Sequence, residues 1–132
     1  MHLYSKLRKM NMLLIDDDEW IRDSLTIFFE SEGCRINALE TAEEGLEALK
    51  KDRYDIIFVD YRLPGMDGLD FLKKIKETYP SAIKILITAY GTINVASEAI
   101  HMGIEDLIEK PFTTKTIETS LSRLIERREQ TA

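Results

Sequence analysis

The chain has 132 residues, a formal net charge of −6 and a single cysteine, Cys34, so it has room for one domain with a substantial core but not for a second. One thiol excludes a disulfide framework and a cysteine-rich zinc site, and no apolar run approaches the ~18 residues of a membrane span. Because the acidic balance also argues against a nucleic-acid surface, we predict a cytoplasmic domain that binds neither membrane nor nucleic acid.

Short apolar runs alternate with longer amphipathic stretches, and this pattern is typical of a parallel sheet flanked by helices. After an N-terminal extension over residues 1–9 with no predicted element, we predict strands at 12–15, 35–39, 56–59, 84–87 and 106–109. The predicted helices cover residues 20–32, 42–51, 69–78, 93–102 and 113–129. We expect residues 10–129 to form the domain and residues 130–132 to form a short tail.

Local signals mark several of the helix ends. Asp18 is expected to cap the first predicted helix and Gly33 to close it at its C-terminus. Thr41, followed three residues later by Glu44, predicts a capping box at the start of the second helix.

Polar side chains follow four of the five predicted strands. Asp16 and Asp17 come after the first strand, Asp60 after the third, Thr88 after the fourth and Lys110 after the fifth. Right-handed crossovers bring the carboxyl ends of parallel strands to one rim, where doubly wound sheets bind their ligands. We therefore expect these residues to lie close together.

Three carboxylates and one ammonium at one rim would leave negative charge without compensation. Two like charges ~4 Å apart repel by about 4 kcal/mol at an effective dielectric constant near 20. A divalent cation would balance this charge, and oxygen ligands without a cluster of histidine or cysteine favour Mg²⁺ over zinc. Asp60 would then have the surroundings of a nucleophile for a phosphoryl group, with Lys110 neutralising charge and Thr88 donating a hydrogen bond.

At these residues the chain resembles the receiver domain of bacterial two-component response regulators. The matching motifs, in chain order, are Leu14-Ile15-Asp16-Asp17, Val59-Asp60, Leu63-Pro64-Gly65-Met66-Asp67-Gly68, Ile87-Thr88-Ala89 and Lys110-Pro111-Phe112. The resemblance covers residues 10–128. It implies a single doubly wound (βα)5 domain of the flavodoxin-like type, with five parallel strands in the order 2-1-3-4-5.

The resemblance implies a phosphoacceptor and a metal site. Asp60 would accept a phosphoryl group from the phosphohistidine of a sensor kinase or a histidine phosphotransfer protein. Asp17, Asp60 and the main-chain carbonyl of Arg62 would bind Mg²⁺, with Asp16 acting mainly through water. The domain would catalyse only its own phosphorylation and dephosphorylation and would not be an enzyme that acts on an external substrate.

The resemblance also implies a switch. Lys110 would pair with Asp60 and then with its phosphoryl group, and the peptide bond between Lys110 and Pro111 is expected to be cis. Thr88 would turn toward the new phosphoryl oxygens. The added charge would shift the face formed by the fourth predicted helix, the fifth strand and the fifth helix, which is also the expected homodimer surface.

Leu107 is a departure from the family pattern, which usually has an aromatic residue or histidine three positions before the lysine. Either the switch works through Thr88 and backbone shifts with leucine packing, which we favour, or the coupling between site and surface is weaker. Arg62 and Tyr90 flank the path by which water would hydrolyse the acyl phosphate. Their bulk predicts a long-lived phosphorylated state.

Two other functions remain as alternatives. A pseudo-receiver would act as an interaction module without phosphorylation, and Leu107 leaves this possibility open. A Mg²⁺-dependent phosphohydrolase would need a second aspartate two residues after its nucleophile, where this chain has Arg62.

The partners are less well determined by the sequence. Trp20 either packs locally or forms a kinase-contact patch with Ile21, Ser24 and Phe112. The stretch over residues 87–112 is similar to receivers that precede σ54-dependent transcription activators. A stand-alone shuttle and a receiver from a hybrid kinase would carry similar residues.

Overall fold

The computed structural model describes residues 2–89, 91 and 93–131, and its elements alternate between helix and strand. The strands are β1 (Asn11–Ile15), β2 (Arg35–Leu39), β3 (Ile56–Asp60), β4 (Ile83–Thr88) and β5 (Asp106–Glu109). The helices are α1 (Leu3–Leu7), α2 (Glu19–Ser31), α3 (Ala42–Lys51), α4 (Gly68–Ile75), α5 (Ile93–His101) and α6 (Thr114–Thr131). None of these helices is both long enough and apolar enough to cross a bilayer.

All five strands form one parallel sheet in the order β2-β1-β3-β4-β5, which confirms the predicted doubly wound fold. Every residue of β3 and β4 is buried, because helices cover both faces of these strands. The register pairs Ile15 with Val59 and Asp60 with Ile87, so the carboxyl ends of β1, β3 and β4 lie side by side.

The core has one apolar cluster on each face of the sheet. Because side chains alternate along a strand, Leu14 points into one cluster and Leu13 into the other. The first cluster takes Phe29 from α2 and is completed by α1 and α6. The second takes Phe71 from α4 and is completed by α3 and α5.

The predicted helix caps are confirmed. The side chain of Asp18 accepts hydrogen bonds from the backbone of α2, and Thr41 and Glu44 form the reciprocal capping box of α3. Gly33 has a φ of +78°, a conformation that few residues other than glycine adopt at the end of a helix.

The third predicted helix ends earlier in the structure than in the prediction. It was expected to run to residue 78, but α4 ends at Ile75 and residues 76–80 form turns. Pro80 disfavours helical geometry in the residue before it, which is consistent with the helix unwinding ahead of the proline.

Helix α1 has no counterpart among the predicted elements. An isolated helix of five residues is unstable in water, so this one depends on packing. Leu7 is fully buried in the first core cluster, and the rings of Tyr4 and Phe28 meet edge to face at 6.3 Å. The residues before β1 are therefore an integral part of the folded domain.

Candidate functional site

Three aspartates meet at the carboxyl ends of β1 and β3. One carboxylate oxygen from each of Asp16, Asp17 and Asp60 lies within 4.8 Å of the others. Asp16 and Asp60 are buried at 0% and 4% exposure, whereas Asp17 is open to solvent. The parallel pairing of β1 with β3 produces this grouping, since both strands end at the same rim of the sheet.

Lys110 brings a cation to the two buried carboxylates. Its Nζ lies 3.0 Å from Oδ2 of Asp16 and 3.3 Å from Oδ1 of Asp60, and its side chain is 19% exposed. The backbone N–H of Lys110 donates to the carbonyl of Thr88 at 2.8 Å, which fixes the lysine beside the end of β4. The bond between Lys110 and Pro111 is cis, as predicted.

The ionisation of these groups reflects their burial. Desolvation, followed by the charge of Asp16, raises the pKa of Asp60 to about 7 despite the nearby ammonium of Lys110. Desolvation also raises the pKa of Asp16 above its ordinary value. Burial lowers the pKa of Lys110, but its contacts with the two carboxylates outweigh this effect and keep the pKa above the usual range.

The aspartate cluster suits a hard divalent cation. Apart from the ammonium of Lys110, no donor in the described part of the chain reaches Oδ2 of Asp16, which is fully buried. Within the same residues, no histidine or cysteine joins the cluster, so its ligands are oxygens. An all-oxygen set that includes a fully buried carboxylate oxygen with no donor other than Lys110 fits Mg²⁺ better than zinc.

The turn that carries Asp16 is held by several hydrogen bonds. The backbone N–H of Asp18 donates to Oδ1 of Asp16 at 2.9 Å, and the N–H of Asp16 donates to the carbonyl of Leu39 at 3.0 Å. Arg22 Nη1 donates to the carbonyl of Asp16 at 2.9 Å. The sequence interpretation missed Arg22, although a cation near the start of a helix is disfavoured by the helix dipole and thus signals a nearby acidic group.

The loop that follows Asp60 is held by α3 and α4. The Oε2 atom of Glu43 accepts a hydrogen bond from the backbone N–H of Met66 at 3.2 Å. Gly65 has a φ of +74°, and a Cβ atom there would lie 3.0 Å from the same carboxylate oxygen. The N–H of Gly68 donates to the carbonyl of Tyr61 at 3.0 Å, so both ends of the loop are anchored. Glu43 is a second residue that the sequence interpretation missed.

The remaining predicted site residues have different environments. Thr88 is fully buried at the end of β4, and Arg62 is exposed in the loop after Asp60. Leu107 is half-buried, lies opposite Leu86 in the sheet and packs on the second core cluster. Tyr90 falls outside the described residues.

A groove of about 440 Å³ lies beside the acidic cluster, between α2 and the start of α6. Trp20, Ile21, Ser24 and Phe112, the residues of the predicted contact patch, all line it, as does Lys110. The side chain of Trp20 is 77% exposed. The patch and the aspartate cluster therefore share one rim of the domain.

Residues 12–122 match the family described as the response regulator receiver domain. The chain is 39% identical over 106 residues to the DNA-binding transcriptional regulator NtrC of Proteus hauseri, covering 80% of this chain and 22% of NtrC. It is 31% identical over 124 residues to the transcriptional regulatory protein FixJ of Bradyrhizobium diazoefficiens, covering 94% of this chain and 60% of FixJ. The chain thus spans less than two thirds of these relatives.

Solved structures are similar over nearly the whole chain. A CheY-like response regulator receiver domain protein from Methanospirillum hungatei JF-1 superposes with a TM-score of 0.87 at 26% identity, covering 93% of this chain and 98% of that one. The beryllofluoride-activated NtrC4 receiver domain dimer gives a TM-score of 0.82 at 31% identity, covering 89% and 97% respectively.

Proposed function

This chain belongs to the response regulator receiver domain family, and on that premise we propose that Asp60 is a phosphoacceptor whose modification switches the domain. The observation that carries the proposal is the placement of a buried Asp60 carboxylate beside Asp16 and within 3.3 Å of the Lys110 ammonium. The phosphoryl donor would be the phosphohistidine of a sensor kinase or of a histidine phosphotransfer protein. We propose a cytoplasmic location for this exchange.

In the transfer step, a carboxylate oxygen of Asp60 attacks the phosphorus atom of the phosphohistidine. The new P–O bond forms as the P–N bond breaks, and the bonding electron pair returns to the imidazole nitrogen of the donor. The ammonium of Lys110 is placed to attract the phosphoryl oxygens, and the hydroxyl of Thr88 would donate a hydrogen bond to one of them. Asp60 must be ionised to act, and its pKa of about 7 allows this in part at neutral pH.

We propose that Mg²⁺ is held by the carboxylates of Asp17 and Asp60 and the main-chain carbonyl of Arg62, with Asp16 acting through water. When bound, the ion would supply positive charge for the carboxylates and the phosphoryl oxygens. The chain's own contribution would be to fix the ligands, since Asp17 and Asp60 lie at the rim of the sheet and Arg62 lies in the loop that Glu43 and Gly68 anchor.

Phosphorylation would be read out through α5, β5 and α6. Ile93 and Ile100 lie seven residues apart on α5 and are 87% and 66% exposed, which supports this face as a homodimer surface. Because Leu107 packs on the core in place of an aromatic residue, we propose that Thr88 and backbone shifts transmit the change. NtrC and FixJ are named as transcriptional regulators, and control of such an output is our proposal for this domain.

The proposal is tested by measuring the intact mass of the protein after incubation with Mg²⁺ and acetyl phosphate. We expect a gain of one phosphoryl group in the wild type and in the Asp70→Asn control, an exposed aspartate on α4, and no gain in Asp60→Asn. A wild type without any gain would favour the pseudo-receiver. Multiple turnover of a generic phosphomonoester that depends on Asp60 would instead favour the phosphohydrolase.

The lifetime of the phosphorylated state can be followed in the same preparation. Because Arg62 is a bulky, exposed residue two positions after Asp60, we expect Arg62→Asn to accelerate loss of the phosphoryl group after the donor is removed. A decay that is fast in the wild type and unchanged in the variant would overturn this expectation.

A further inference from the structure

Helix α1 lies outside the stretch of residues 12–122 that matches the family, yet it makes specific contacts with α6. The hydroxyl of Tyr4 donates a hydrogen bond to the carboxylate of Glu118. The Nζ atom of Lys6 lies 2.6 Å from Oε1 of Glu129. Since Glu118 is near the start of α6 and Glu129 is near its end, α1 is bonded to both halves of that helix.

The same segment is also attached to α2. The ring of Tyr4 packs edge-on against Phe28, with ring centroids 6.3 Å apart. Just after α1, Arg8 Nε donates a hydrogen bond to the carbonyl of Glu32 at 2.8 Å. Residues 3–8 therefore bridge two helices that neither share a loop nor follow one another in the chain.

An apolar anchor lies beneath these polar contacts. Leu7 is 0% exposed and belongs to the core cluster that contains Leu121, Leu124 and Ile125 of α6. The polar bonds of Tyr4 and Lys6 therefore lie around a buried leucine at the contact between α1 and α6. Displacing α6 would expose this apolar side chain to water, which is unfavourable.

Helix α6 is held at its other edge as well. Arg128 Nη1 donates to the carbonyl of Ser81 at 2.7 Å, and Arg128 Nη2 bonds to the carboxylate of Glu105. The last turns of α6 are thus attached to α1 on one side and, on the other, to the segments that lead into β4 and β5.

We propose that residues 3–8 act as a strap that holds α6 against α2, so that rearrangement on phosphorylation is confined to α5 and β5. The statement about phosphorylation rests on the proposed function, but the hold on α6 does not. The strap would make α6 a fixed element of the domain, and dimer contacts or output coupling would then depend on movement of α5 and β5 relative to it.

The test compares hydrogen exchange, measured by mass spectrometry, in the wild type and in the double variant Tyr4→Phe/Lys6→Gln. This variant removes the two polar bonds to α6 and keeps Leu7 in the core. The matched control is Tyr79→Phe/Lys50→Gln, which removes a tyrosine hydrogen bond to Leu49 and an exposed ion pair with Glu47. Both interactions involve α3, which packs in the second core cluster, whereas α6 packs in the first.

Without phosphorylation, we expect peptides from residues 114–131 to exchange about tenfold faster in the strap variant and at the wild-type rate in the control. Unchanged exchange in α6, or an equal increase in all five strands, would overturn the strap. When Asp60 is phosphorylated, we expect the exchange rates of the wild type to change in α5 and β5 but not in α6. In the strap variant, we expect the change to extend into α6.

A wild type in which phosphorylation alters α6 as much as α5 would overturn the confinement of the switch. The intact mass of each sample is measured in parallel. If Asp60 takes up no phosphoryl group, the proposed function fails, while the comparison of unphosphorylated samples still decides whether α1 holds α6.

Discussion

Gly68 lies directly against the main chain of Asp60: a Cβ atom built on Gly68 would overlap the carbonyl oxygen of Asp60. Gly68 is the first residue of α4, so this close approach brings the start of the helix against the end of β3. Any larger residue has to push the two backbones apart at the position of the central carboxylate. The glycine therefore controls the geometry of the site without contributing a side chain to it.

We expect Gly68→Ala to lower the free energy of unfolding by about 3 kcal/mol, because the overlap involves backbone that cannot rotate away. The control is Gly103→Ala, where the φ of +85° is strained for alanine but no atom lies within 4 Å, so about 1 kcal/mol is expected. Urea unfolding measures both values. Phosphorylation by acetyl phosphate should slow only in Gly68→Ala, and equal losses of stability in the two variants would contradict the close-approach explanation.

The raised pKa of Asp60 predicts a pH-dependent effect of Asp60→Asn. Because the folded protein holds this carboxyl protonated up to a pKa of about 7, against an ordinary 3.8, the stability that it contributes is lost as the pH rises through 7. In Mg²⁺-free buffer we expect Asp60→Asn to be more stable than the wild type at about pH 8, by on the order of 2 kcal/mol. At about pH 5 we expect this difference in stability to be smaller.

Urea unfolding at the two pH values measures this difference. Added Mg²⁺ at the higher pH should stabilise the wild type and leave Asp60→Asn nearly unchanged, since the variant lacks a carboxylate ligand. If the difference in unfolding free energy between the two proteins does not vary with pH, the ionisation of Asp60 does not destabilise the folded protein.

Removal of Lys110 leaves two buried carboxylates without their cation. We expect Lys110→Met to destabilise the protein by about 3 kcal/mol at pH 8 in the absence of Mg²⁺, and by less at pH 5, where Asp60 is protonated. The control is Lys84→Met, which removes a buried lysine that donates to the carbonyls of Tyr79 and Ala82. Its cost should be similar at both pH values, as measured by urea unfolding.

Arg22 is expected to position the acidic turn through its hydrogen bond to the carbonyl of Asp16. Loss of this bond in Arg22→Met should weaken Mg²⁺ binding about fivefold, as measured by calorimetric titration with the metal alone. If Arg22 contributed only its positive charge and did not position the acidic turn, Arg22→Met would instead strengthen the binding of Mg²⁺. Arg123→Met, which removes an arginine paired with Asp106, serves as the control because that pair lies on the β5–α6 side.

The periodicity of the sequence was sufficient to predict the five strands and five of the six helices. The order of the strands was predicted from the family resemblance. Runs such as Ile56–Val59 are apolar at every position and too short for a typical helix, which is the pattern expected of a strand covered on both faces. The residues of the site could be predicted for a related reason. In a parallel sheet the strand ends share one rim, so Asp16, Asp60 and Lys110 had to meet once their strands were assigned.

Tertiary structure alone decided the features that depend on the distance between elements. Helix α1 is too short to form by itself and exists because Leu7 is buried in a core cluster with residues of α2 and α6. The contact of Gly68 with Asp60 and the reach of Arg22 to the carbonyl of Asp16 depend on how closely helices approach strands, which no periodic pattern encodes. The sequence by itself determined which side chains gather at the rim, whereas packing decided how deeply they are buried, and that burial raises the pKa of Asp60.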